Sequence, residues 1–147
     1  MKVLGLNNRE YNLDLKKYIV RADDTTKKSK YHLLARKLIK EMFNGYTILE
    51  EVKLPGSRDP SKKSALFLDF LIPGVTIGIE VHGQQHYEYS QFFHKTKAGY
   101  YHSLKRDQTK KEWCKLNGIN LIVLKYSDSI EKWRNQIERR WKTKWIY

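Results

Sequence analysis

The sequence predicts an α/β fold in which helices flank a mixed central sheet, and three observations point there. Apolar spacing changes along the chain in the order helix, three strands, helix, strand, helix, a pattern that covers one sheet with helices. The last strand follows its predecessor through a helix, so a right-handed crossover can lay it parallel to a strand of the preceding hairpin. At 147 residues with a single cysteine, Cys114, the chain is long enough for one core without disulfides.

Residues 1–28 read as an N-terminal arm and 29–147 as a single domain. From about Ser29 to Phe43, Tyr31, Leu34, Ala35, Leu38 and Met42 recur at helical spacing, with Arg36, Lys37 and Lys40 largely on the other side. Asn44-Gly45 ends this helix, and Tyr46 to Leu54 follows as a strand. The segment Pro55 to Lys63 has loop composition. Two apolar strands come next, 65–72 and 75–82, joined by a Pro73-Gly74 turn. A polar-aromatic stretch runs from Gly83 to His102, then a helix from about Ser103 to Leu116, stopped by Asn117-Gly118. Ile119–Tyr126 is a buried strand, and Ile130, Trp133, Ile137 and Trp141 stripe a last helix.

The balance of 29 Lys plus Arg against 16 Asp plus Glu gives a formal net charge of +13. Such an excess repels itself in a compact chain and makes sense with a polyanionic partner, of which nucleic acid is the leading candidate. One cysteine rules out an intramolecular disulfide or a thiolate metal cluster and fits a reducing compartment. The N-terminus turns polar too early for a signal peptide, and no apolar run reaches membrane-spanning length.

The chemistry concentrates between Phe67 and His86, FLDFLIPGVTIGIEVHGQQH, where Asp69, Glu80, His82 and His86 interrupt apolar strands. Buried carboxylates are costly unless paired. With a two-residue turn, Asp69 faces Gly78 and Glu80 is its diagonal neighbour on the same face, with His82 continuing that face. The glycine then leaves space for an ion or phosphate. Two carboxylate ligands suit Mg2+, with Mn2+ as a substitute. His86, just beyond the strand end, supplies a proton-transfer group near neutral pH.

These residues, with Lys105-Arg106-Asp107 opening the stretch KRDQTKKEWCKLNGINLIVLKY, make the chain resemble the PD-(D/E)XK nuclease superfamily over about Ser29 to Tyr126. The nearest branch is that of very-short-patch repair endonucleases and the homing endonucleases with an EDxHD-type site. The resemblance implies a restriction-endonuclease-like core and an Mg2+-dependent deoxyribonuclease. Carried over by position, Asp69 is the metal-binding aspartate and Glu80 the acidic residue of the D/E-x-K element. His86 is the active-site histidine, and Asp107 the acid that orients it. Read without the family, Asp107 is equally a helix N-terminal aspartate facing the macrodipole. The chain departs from the family in two places. His82 stands where the lysine of the E-x-K element belongs. No acid lies at Ser29, Lys30, Tyr31 or His32, where the family has a helical glutamate; His32, Glu50 and Glu51 are the available stand-ins. The zinc ligands of some repair endonucleases are also missing, since Cys114 alone holds no structural zinc.

Phosphate contacts fall to Arg58, Lys62, Lys63, Lys95, Lys97, Lys105, Arg106, Lys110 and Lys111, with Gln84 beside the site. The aromatic stretch from Tyr87 to Tyr101 either enters a groove or packs a loop on the core. The expected protein is a phage or mobile-element homing-type endonuclease acting on double-stranded DNA in the cytoplasm of a bacterial or phage-infected cell, working as a homodimer or higher homo-oligomer if it cuts both strands. A junction-resolving nuclease and a catalytically silent nucleic-acid-binding module are the alternatives.

Overall fold

The computed structural model describes residues 1–19, 28–58, 65–84 and 96–143. A short antiparallel hairpin, β1 (Lys2–Leu4) and β2 (Glu10–Asn12), precedes helix α1 (Lys30–Met42). Strands β3 (Leu49–Leu54), β4 (Leu66–Ile72) and β5 (Ile77–His82) follow, then α2 (Lys97–Leu116), β6 (Asn120–Lys125) and α3 (Ile130–Thr143). The central sheet has the order β3-β4-β5-β6, antiparallel except for the parallel β5–β6 pair. The mixed α/β class and the parallel return through a helix are therefore present.

Helices cover both faces. On one, Ala35, Leu38 and Ile39 of α1 and Trp133 and Ile137 of α3 pack on Phe70, Ile72, Ile77, Ile79, Ile122 and Leu124. On the other, Trp113 and Cys114 of α2 pack with Leu49, Val52, Leu54, Leu68, Leu71 and Ile119. The N-terminal segment expected as an arm docks here, through Val3 and Leu13. Asn117, just past α2, pins it: its side chain accepts from Leu4 N–H at 2.7 Å and donates to Leu4 O at 2.9 Å.

Four local expectations are corrected. Arg36 belongs to the buried side of α1 and Leu34 to the exposed one, because Arg36 makes two hydrogen bonds to buried Glu50. Helix α2 begins at Lys97, capped by the Thr96 hydroxyl, so Asp107 lies mid-helix, away from the positive end of the dipole. The β4–β5 connection is a single 3-10 turn, Pro73–Val75, closed by Thr76 in a left-handed conformation (φ 49°). Ile72 then pairs with Ile77, Leu71 with Gly78 and Phe70 with Ile79, two residues away from the expected register. Gly78 consequently opens no space at Asp69. A Cβ there would lie 3.1 Å from Leu68 Cδ2 and 3.2 Å from Ile119 Cγ2, so the glycine admits core side chains.

One irregularity interrupts the β3–β4 ladder. Leu49, Val52, Leu68 and Leu71 share the α2 face while Phe70 and Ile72 lie on the α1 face, so alternation slips by one residue at position 51 of β3 and at position 69 of β4. Glu51 adopts φ 54°, and the ladder skips from Glu50↔Phe70 to Val52↔Leu68. The break is a bulge-like interruption of the kind that re-aims side chains.

Candidate metal and catalytic centre

The centre is built where the sheet ladder fails. Continuing the β4–β5 register beyond Phe70↔Ile79 sets Asp69 against Glu80, but carboxylates replace the backbone ladder there. Val81 N–H donates to Asp69 Oδ2 at 2.8 Å, and Asp69 N–H donates to Glu80 Oε1 at 3.4 Å. The two acids thus meet across adjacent strands. Glu80 is buried at 3% exposure. Burial, and then the neighbouring Asp69 charge, push its carboxyl well above the usual carboxylate range, while Lys110 pulls the other way.

Helix α2 supplies the counter-charges. Asp107, Lys110 and Cys114 stand at i, i+3 and i+7, one helix face, with Cys114 and Trp113 anchored in the core. Lys110 Nζ lies 3.2 Å from Glu80 Oε1. Burial alone would lower the lysine, but Glu80 and Asp69 outweigh it and raise its pKa. The same Glu80 helps burial to lift the Cys114 thiol to about 12, which makes that cysteine an inert core residue. Asp107 Oδ1 is 3.8 Å from His82 Nε2, so the acid expected beside His86 stands near His82. His86 itself lies outside the described residues, as do Lys62, Lys63 and Lys95 and most of the aromatic stretch.

From the α1 side comes His32, stacked on Phe70 with centroids 4.6 Å apart. Its Nε2 contacts Glu50 Oε1, and Arg36 holds the same carboxylate. His32 and Arg36 draw Glu50 down to about 2 against the opposing effect of burial. One ligand atom each from His32, Glu51 and Asp69 lie within 4.8 Å of one another. Of the three positions considered for the missing helical glutamate, His32 and Glu51 converge on Asp69, while Glu50 is taken up by Arg36 and His32. Lys28 Nζ sits 3.0 Å from Glu51 Oε1.

Among the remaining basic candidates, Arg58, Lys97, Lys105 and Lys111 are exposed, Arg106 is half-buried and donates to Ser103 Oγ at 2.9 Å, and Gln84 is exposed at the end of β5. Lys110, grouped with them by charge alone, points inward to Glu80. Counting back three and four residues from the apolar pair Trp113-Cys114 is the sequence signal that would have placed it inside.

The chain is similar to two viral proteins. It is 34% identical over 70 residues to uncharacterized protein 033L of invertebrate iridescent virus 3, which covers 48% of this chain and 36% of that protein. It is 34% identical over 62 residues to uncharacterized protein 307L of invertebrate iridescent virus 6, covering 42% of this chain and 32% of that protein. The similarity thus spans about a third of the length of each relative. No family model and no solved structure matches the chain. Among the described residues, no helix is long and apolar enough to cross a membrane.

Proposed function

We propose that this protein is a metal-dependent DNA endonuclease with a restriction-endonuclease-like core, of the PD-(D/E)XK type that its sequence resembles. The observation that carries the reading is the meeting of Asp69 and Glu80 on adjacent strands, with the Lys110 ammonium 3.2 Å from Glu80. Two carboxylates held together, one buried and one half-buried, repel each other when both are charged, and a divalent cation relieves that repulsion. Their all-oxygen donor set fits Mg2+. Such an ion, when bound, polarises a phosphoryl oxygen and lowers the pKa of attached water.

The chain's own residues supply the rest. Lys110 is positioned to meet a phosphate oxygen at the carboxylates, the part that a lysine two residues beyond Glu80 plays in the family. His82, buried at 6% exposure and backed by Asp107, is the proton-transfer group nearest Glu80 in sequence. Lys97, Lys105, Arg106 and Lys111 lie on α2, the helix that carries Lys110, and extend the positive charge outward along duplex DNA. The iridescent-virus relatives favour a virus or mobile-element setting in which DNA is met in the cytoplasm of an infected cell. A double-strand cut would require two such centres, hence a homodimer.

A second reading, a silent nucleic-acid-binding module, is favoured by one observation: Lys110 and Lys28 pair with Glu80 and Glu51. Digestion of supercoiled, linear and four-way DNA separates the two. The nuclease cuts at least one form with Mg2+ and stops on EDTA; the silent module retards all three on a gel and cuts none with Mg2+ or Mn2+.

A further inference from the structure

The proposed nuclease function rests on Asp69 and Glu80 and assigns no ligand role to His32 and Glu51. We propose that His32, Glu51 and Asp69 form a mixed nitrogen–oxygen metal site that takes a first-row transition divalent ion, such as Mn2+, in preference to Mg2+. This deepens the nuclease reading and rests on it for the use of the site, though not for the binding itself.

Geometry carries the proposal. Metal–ligand bonds of about 2.1 Å place two donors of one ion up to roughly 4 Å apart. Ligand atoms of His32, Glu51 and Asp69 lie within 4.8 Å of one another, close to that span. The three residues come from three elements and converge through separate devices. His32 is oriented by Glu50, itself clamped by two hydrogen bonds from Arg36. A carboxylate that fixes an imidazole in this way is the usual support of a metal-binding histidine. Glu51 reaches Asp69 because its φ of 54° breaks the β3 ladder opposite that residue. A glutamate held in this region costs energy that regular pairing would avoid, and such outliers gather at functional sites.

Charge and ligand type then choose the ion. Two carboxylates give a hard, anionic site, and one imidazole moves preference from Mg2+ towards Mn2+ and its heavier neighbours. Lys28 occupies Glu51 at 3.0 Å and approaches Glu50 to 3.9 Å, so its ammonium is the cation an incoming metal displaces. Helices α1 and α2 cover opposite faces, so the His32 ligand and the Lys110 ammonium approach the sheet break from different sides, with Asp69 between them.

Titration calorimetry of the full chain with MnCl2 and with MgCl2, paired with pulsed electron paramagnetic resonance of the Mn2+ complex, tests this. Mn2+ should bind at least about tenfold more tightly than Mg2+, with a nitrogen coupling from imidazole. His32→Gln should remove that coupling, and Glu51→Gln, a change at an exposed side chain that leaves the core intact, should weaken Mn2+ by about tenfold or more. Lys28→Gln should bind Mn2+ more tightly than the parent. Equal affinities for the two ions, or parent-like Mn2+ affinity in Glu51→Gln, would overturn the site. Mn2+ bound with the nitrogen coupling but no DNA cut by any metal would keep this site and remove the nuclease reading. Mg2+-driven cleavage unchanged in both variants, with no nitrogen coupling, would do the reverse.

Discussion

Glu50 shows how much a single buried carboxylate depends on its neighbours. Arg36 and His32 hold it, and its pKa falls from 4.5 to about 2. A carboxylate depressed on folding adds stability that is fully present above its unfolded pKa and disappears as pH falls through the folded one. The size of this contribution is on the order of 3 kcal/mol. Urea unfolding of the parent should therefore lose about that much between about pH 5 and pH 2, beyond what Glu50→Gln loses over the same window. At neutral pH the variant should be the weaker protein, because Arg36 keeps its charge inside without a full partner. Parallel pH profiles for the two proteins would show that the Arg36–Glu50 clamp contributes nothing. Residue identity alone hinted at little of this. Helical spacing sets Arg36 on the polar side of α1, and only the pairing with Glu50 makes its burial tolerable.

At the level of elements, the sequence revealed helices and strands well where apolar spacing is regular and poorly where polar atoms decide. Helix α3 carries Trp133 and Ile137 into the core as its stripe implies, and β6 returns parallel to β5 as the intervening helix implies. The β4–β5 register was not legible, since it depends on Thr76 taking a left-handed conformation that no residue type there requires. The start of α2 was missed because the Thr96 cap lies beside a polar-aromatic stretch with no helical stripe. The N-terminal hairpin was unreadable for a similar reason: three-residue strands carry too little pattern, and Asn117 at the far end of α2 fixes them. Asn117→Ala should cost about 1–3 kcal/mol. Amide exchange at residues 2–12 should accelerate while protection in β4 and β5 stays high. Unchanged exchange in the hairpin would mean that Val3 and Leu13 hold it without the asparagine.

Over the whole molecule, a net charge of +13 must be reconciled with a centre that is acidic inside. Basic side chains on α2 point outward at Lys105 and Lys111 and inward at Lys110, so one helix links the outer charge to the inner carboxylates. Duplex affinity should fall linearly on a log–log salt plot with a slope of roughly −0.9 for each phosphate neutralised. Replacing Lys105 or Lys111 by alanine should each reduce the slope by about one, and salt-independent binding would remove DNA as the partner. The acidic centre was partly legible: Asp69 and Glu80 stand out as carboxylates in apolar strands, whereas their direct contact depends on a sheet break that pattern does not encode. Asp69→Asn keeps an acceptor for Val81 N–H and removes one of the two repelling charges. The most direct measurement is nicking of supercoiled DNA with Mg2+ by the parent and by Asp69→Asn, with gel retardation of the same DNA as the binding control. The account predicts steady nicking by the parent, a loss of at least about a hundredfold in the variant, and unchanged retardation. Equal nicking by the two proteins, or none by either with any divalent ion, would contradict it.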